Sequence, residues 1–263
     1  MLILRSHYTA DLVPALQAEG RQILLSKGET INLALSPEVY CLGYTREGTR
    51  HACPKKATGK KQCSFCSKED DFLVCLRCDG ATCLQFTDGL KNDCFGKDYC
   101  VYLASFGQQV KAGVSKTERV QKRWVEQGAD YAARVFGNLN GQDARVIESA
   151  LVRGGLLARL TLGQKMELPA PDGAVIDDEM QSDSFRRVAG SFAKNAVDAP
   201  QVESMQAHYP GISAAKPTDY LQGTVLGAKG PVLFLEQNGA PRVFGLGNAV
   251  GRKILTHTLA AFA

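Results

Sequence analysis

The chain has 263 residues, 44% hydrophobic and 22% charged, an ordinary globular mixture that excludes wholesale disorder. Its 31 Lys and Arg against 27 Asp and Glu leave a net charge of +4, which permits an anionic partner without demanding one. No apolar run approaches the roughly 18–20 residues needed to span a bilayer. The opening Met1-Leu-Ile-Leu-Arg-Ser-His7 turns polar too soon for a secretory signal. A cytoplasmic protein with no membrane partner is expected.

In chain order, residues 1–40 read as a small β-rich part. A short helical pattern near Asp11–Ala18 is interrupted by Pro14, and strands are expected at Gln22–Leu25 and Thr30–Leu35. Residues 41–98 lack periodicity and hold all the cysteines but one. Between Arg46 and Lys61 lie six basic residues and one acid. A segment this polar cannot build its own hydrophobic core, so something other than burial must order it.

Residues 99–165 change character. The pattern predicts strands at Tyr99–Phe106 and Val110–Val114, a helix at Thr117–Gln127 stopped by Gly128, a strand at Tyr131–Val135, and a helix at Gln142–Arg153 followed by Gly154-Gly155. The order is β-β-α-β-α. Residues 166–215 read as a linker with one helix at Ser184–Ala196; the stretch 167–183, with six acids and no Lys or Arg, reads as a surface loop. Residues 216–263 predict a small antiparallel β domain, with strands at Tyr220–Leu226, Val232–Glu236 and Arg242–Leu246 and a hairpin turn at Asn238-Gly239.

Nine cysteines lie between Cys41 and Cys100. An odd number packed into one quarter of a cytosolic chain argues for metal rather than disulfides. Cys63-x-x-Cys66 and Cys75-x-x-Cys78 are knuckles, each placing two thiolates at a separation that tetrahedral zinc can bridge. Cys41, Cys53, Cys83 and Cys94 remain to complete them, which predicts two structural zinc ions. Sequential grouping gives Cys41, Cys53, Cys63 and Cys66, then Cys75, Cys78, Cys83 and Cys94; a cross-braced arrangement would mix the sets. Cys100, within a strand, reads as a small buried hydrophobe, and His51 as a substitute ligand near Cys53.

Cys100-Val-Tyr102-Leu, a turn, and Lys111-Ala-Gly113-Val-Ser resemble the two opening strands of the GIY-YIG nuclease superfamily. The helix carrying Arg119 and Arg123 stands where that superfamily keeps a catalytic arginine, and Glu148 where it keeps a metal-binding glutamate. Lys111 stands where a second tyrosine is common. More closely, Tyr102-Leu-Ala, Lys111-Ala-Gly-Val-Ser and Arg123-Trp-Val-Glu-Gln-Gly-Ala129 resemble the family of domain of unknown function 2797, whose members place a cysteine-rich segment before a nuclease-like unit. The resemblance implies an α+β fold in which a zinc-ribbon-like segment precedes a GIY-YIG-like unit. It also implies metal-dependent hydrolysis of DNA or RNA phosphodiesters. In that chemistry Glu148 would hold Mg²⁺ or Mn²⁺, Arg123 would clamp a phosphate oxygen, and Tyr102 would position or deprotonate water. Lys111 or Arg119 would supply the cationic neighbour a phenol needs. The other reading is a nucleic-acid-binding or assembly module on the same scaffold without hydrolysis. Trp124 reads as core.

Overall fold

The computed structural model describes residues 1–165, 172–212 and 214–257. The fold is mixed α+β and divides into two compact units, Met1–Asp70 with His208–Ala263, and Asp71–Ala207.

The first unit is built on sheets. Ile3–Tyr8, Pro14–Ala18 and Arg21–Leu24 form a three-stranded antiparallel meander. The helix expected near Asp11–Ala18 is therefore a strand. Pro14 cannot donate within a helix, while Ala15, Leu16 and Ala18 are buried and pair on both sides. Gly20 turns the chain with φ +79°. A six-stranded sheet runs Lys216–Pro217, Ala240–Gly245, Val232–Gln237, Leu221–Lys229, Thr30–Leu35 and Ile254–His257. Thr30–Leu35 thus pairs with two strands from the far end of the chain, Leu33 facing Leu221 across one ladder. The expected tail strands are present, joined through Asn238 and Gly239, both at positive φ.

In the second unit the expected β-β-α-β-α order is present. Tyr99–Phe106 and Gln109–Lys116 form a hairpin, Val120–Gln127 is a helix, Tyr131–Leu139 a strand, and Gly141–Arg153 a helix. The sheet order is Glu203–Ser204, Tyr131–Leu139, Tyr99–Phe106, Gln109–Lys116, antiparallel throughout. Tyr99–Phe106 lies between two long strands and is buried over nearly its whole length, which explains its near-continuous apolar run. Ala144, Ile147 and Leu151 of the Gly141–Arg153 helix pack on Val101, Leu103, Ala133 and Val135. Asn140 caps that helix through the Asp143 N–H. Gly128, at φ +79°, ends the shorter one.

The stretch 167–183 was expected to be a surface loop. Residues 167–171 lie outside the described residues; beyond them Ala174–Gln181 is a helix. Ile176 is fully buried, and Val175 and Met180 pack on the same core. Three apolar side chains on one face fold the segment despite its acids. The helix expected at Ser184–Ala196 is Asp183–Ser191, capped by Ser182, followed by a 3-10 turn at Ala193–Asn195.

One close approach fixes the centre of the second unit. Tyr102 faces Gly113 across the hairpin, and a methyl group at Gly113 would lie 2.5 Å from the phenol oxygen. Trp124 closes the other side, its ring 6.1 Å from that of Tyr102 in an edge-on arrangement. Gly113→Ala is expected to destabilise by about 1–3 kcal/mol through overpacking. Adding Tyr102→Phe, which removes the obstructing oxygen, should recover part of that loss in urea unfolding. No loss in the single variant would contradict the packing.

Candidate functional site

In the first unit Cys41, Cys53, Cys63 and Cys66 have Sγ atoms all within 4.8 Å of one another. Cys53 and Cys63 are 4.0 Å apart, close to the ~3.8 Å that two thiolates span around tetrahedral zinc. A small hairpin, Tyr44–Arg46 with Thr49–His51, and the helix Ser64–Glu69 hold them. Gly43, at φ +77°, lets its N–H reach Cys41 Sγ at 3.4 Å, and the Cys63 N–H reaches the same sulfur at 3.2 Å. Both donors favour a thiolate. Burial pushes the Cys41 and Cys66 thiols up, whereas the Cys66 N–H draws Cys63 down to about 7. Four such sulfurs can all ionise together only around a cation, and this donor set fits zinc. The grouping is the sequential one. His51 is exposed and stacks on Tyr44 at 4.6 Å, outside the thiol group.

The other four cysteines lie in the second unit as half-buried free thiols. Cys75, Cys78, Cys83 and Cys94 line one cleft, and Cys94 senses the charges of the other three. They do not close to ligand distance as the first set does. The turn after Cys78 repeats the turn after Cys41: Gly80, at φ +85°, donates to Cys78 Sγ at 3.4 Å. That turn docks on the Gly141–Arg153 helix, where Gln142 donates to Gly80 O and Ser149 to Asp79 O. Cys100 is fully buried.

The same cleft, about 1200 Å³, is lined by Arg77, Lys91, Lys116, Arg119, Arg123 and Arg145 against Asp79, Asp93 and Glu118. Phe72, Leu84 and Phe86 on its wall are more than half exposed. Lys116 is held by Asp93 at 2.6 Å. Arg119 makes a two-pronged pair with Glu126, both contacts at 3.0 Å, and Arg123 reaches Glu126 at 3.5 Å.

Arg123 also belongs to a charged cluster. Tyr102, 1% exposed, interacts electrostatically with Arg123 and Glu148. Glu148 in turn feels Arg145, Lys111 and Arg123. The three residues singled out as remote partners in sequence, together with Lys111, therefore share one neighbourhood, whereas Arg119 stands outside it on the cleft. Burial raises Tyr102 to about 12, so the phenol keeps its proton at neutral pH and is suited to donate a hydrogen bond. Burial also raises Glu148, against the three cations. Lys111 is 9% exposed and burial lowers it to about 8.

Sequence reasoning missed Lys165. Its ammonium donates to Gln127 O at 2.9 Å and stands 5.2 Å over the Phe106 ring. Burial, then Lys111 and Arg123, bring it down to about 8. It enters through the segment after the second helix, where Leu157 lies parallel beside Lys111 and accepts from the Ala112 N–H. No sequence motif marks it.

Mg²⁺ or Mn²⁺ was expected at Glu148. The carboxylate belongs to no group of three metal-ligating side chains among the described residues, and three cations surround it. A dication would enter against them with a single anionic donor. These residues do not fit a resident Mg²⁺ or Mn²⁺.

A family model described as protein of unknown function (DUF2797) matches residues 28–254, and the chain belongs to that family. No curated protein and no solved structure matches it. Among the described residues no helix is long and apolar enough to cross a membrane.

Two expectations follow. Cys63→Ser should lose one zinc by native mass spectrometry. It should also lower Tm by ~10 °C, taking about 3 kcal/mol or more for a structural site and roughly 2–4 °C per kcal/mol; an unchanged Tm with zinc retained would contradict the site. The second expectation concerns pH. Lys111 and Lys165 titrate below their unfolded value of 10.5. Above about pH 8 the unfolded chain therefore holds more protons, and stability rises with pH. For zinc-loaded protein the rise should approach roughly 1 kcal/mol per pH unit per group. Lys111→Met should flatten it in urea unfolding; an identical slope would contradict the burial of that charge.

Proposed function

We propose that this is a zinc-stabilised nucleic-acid-binding protein. The observation that carries the reading is the cleft of the second unit, with six cationic side chains against three acids and exposed aromatics on its wall. Several cations in one cleft, next to exposed rings on which bases can stack, are the combination that binds single strands without strong sequence preference. The β-β-α-β-α order and the Tyr102, Gly113, Arg123 and Glu148 strings support a GIY-YIG-like scaffold for this unit. The thiols lining the cleft support a second zinc at Cys75, Cys78, Cys83 and Cys94: the positive-φ glycine donating to sulfur after Cys78 repeats the turn of the first set. A zinc-ribbon-like character for the first set is part of the same reading.

The test is fluorescence anisotropy with single- and double-stranded DNA and RNA across a salt series. Nonspecific affinity of roughly 10⁻⁴–10⁻⁶ M near physiological salt is expected, with a linear dependence on log salt. The double variant Arg119→Ala/Arg123→Ala should reduce the slope by about 1.4, from ~0.7 per phosphate contact on single strands. Phe86→Ala should cost about 1–3 kcal/mol if bases stack there. Absence of binding to every strand would reject the reading. Metal analysis should return two zinc ions per chain if the second set closes.

Hydrolysis is a second reading, favoured by the shared neighbourhood of Tyr102, Arg123 and Glu148. Labelled strands incubated with EDTA, Mg²⁺ or Mn²⁺ decide it. Cleavage by the wild type that disappears in Glu148→Ala supports it, and equal cleavage in both marks contamination.

A further inference from the structure

The cleft accounts for the face of Arg123 that meets solvent, but not for the two lysines behind it. Lys111 is nine-tenths buried, and among the described residues its ammonium has neither an ion pair nor a hydrogen bond. Lys165 spends one of its three donors on Gln127 O and has no acidic partner within 4 Å among the described residues. Lys165 senses Lys111 and Arg123, and Lys111 senses Arg123 and, favourably, Glu148. The carboxylates nearby are Glu148, already facing Arg145, and Glu126, shared by Arg119 and Arg123. Among the described residues at least two positive charges are thus left without a carboxylate. Cations crowded at largely buried positions repel one another, and an anion entering among them relieves that repulsion. On the same helix the Trp124 Nε1–H and Gln127 Oε1 are buried with no hydrogen-bond partner among the described residues.

We propose that Lys111, Lys165 and Arg123 together seat a phosphate monoester, the terminal phosphate of a nucleic-acid strand whose body lies in the cleft. The inference rests on the nucleic-acid-binding reading for its substrate class. A monoester near neutral pH carries close to two negative charges, whereas a bridging diester carries one. The cluster's excess of positive charge matches the former. Arg123 lines the cleft and also belongs to the cluster, so it joins the strand's path to its end. Lys165 anchors the seat from the Gln127 carbonyl at the end of the Val120–Gln127 helix.

The experiment compares short single strands of one sequence bearing a 5′-phosphate, a 3′-phosphate or only hydroxyl ends, with inorganic phosphate as a separate arm. The wild type is expected to bind one phosphorylated end about tenfold or more tightly than the hydroxyl-ended strand, the value of a charged hydrogen bond or two. Lys165→Met should abolish that preference while binding the hydroxyl-ended strand as before, and Lys165→Arg should retain it. Inorganic phosphate should compete with the preference alone. Equal affinity for all ends, or a preference that survives in both Lys165→Met and Lys111→Met, overturns the seat and leaves the cleft reading standing. If no strand binds, the cleft reading fails by itself. The seat then stands as a site for free phosphate if phosphate raises the Tm of wild type but not of Lys165→Met, and falls if neither responds.

Discussion

A cluster of cations around one carboxylate is the constraint on which the second unit turns: Arg145, Lys111 and Arg123 act on Glu148, and Lys165 joins Lys111 and Arg123. Lys111 comes from a hairpin strand, Arg123 from the helix that follows it, Glu148 from the second helix, and Lys165 from the segment beyond. Like charges buried near one another repel strongly where water is scarce. Only a rigid frame holds them in place. The fully buried Tyr99–Phe106 strand supplies that frame, and the contact of Tyr102 with Gly113 sets how closely the hairpin packs. Burial lowers both amines and, against the surrounding cations, raises the carboxyl. These are the perturbations that cluster where a protein meets a charged ligand.

The cysteines answer a different need. The segment from Cys41 to Cys94 has too little apolar surface to fold by burial, and its helices are short. Four sulfurs brought within bonding distance of one ion in the first unit replace a hydrophobic core with a coordination shell. The second four sit on the wall of a cationic cleft, docked by side-chain hydrogen bonds onto the helix that carries Glu148. The turn that carries these thiols and the charged cluster at Glu148 thus share one helix in that unit.

Much of this was legible in the chain. The period-two and period-3.6 patterns between Tyr99 and Arg153 specify the β-β-α-β-α order, because each element buries one face against the same core. The Cys63-x-x-Cys66 knuckle was legible from its spacing, but that Cys41 and Cys53 complete it, rather than a cross-braced set, came only from the fold. What was not legible depends on distance or on competing signals. The pairing of Thr30–Leu35 with Leu221–Lys229 joins segments whose local patterns carry no mark of each other. Pro14 and the small residues after it suggested an interrupted helix, and partners on both sides made a strand instead. Acids between 172 and 183 masked Ile176, whose burial folds a helix there. Lys165 was invisible because a lone lysine after a helix has no pattern; only the fold brings it to Gln127 and Lys111.

The most direct measurement is the titration of the Lys111 and Lys165 ammonium groups by NMR of side-chain carbons, with and without a phosphorylated strand. The account predicts that both titrate near 8 in the free protein and move upward when the strand binds, since an anion favours the charged amine. Ordinary lysine titration near 10.4, indifferent to the strand, would contradict it.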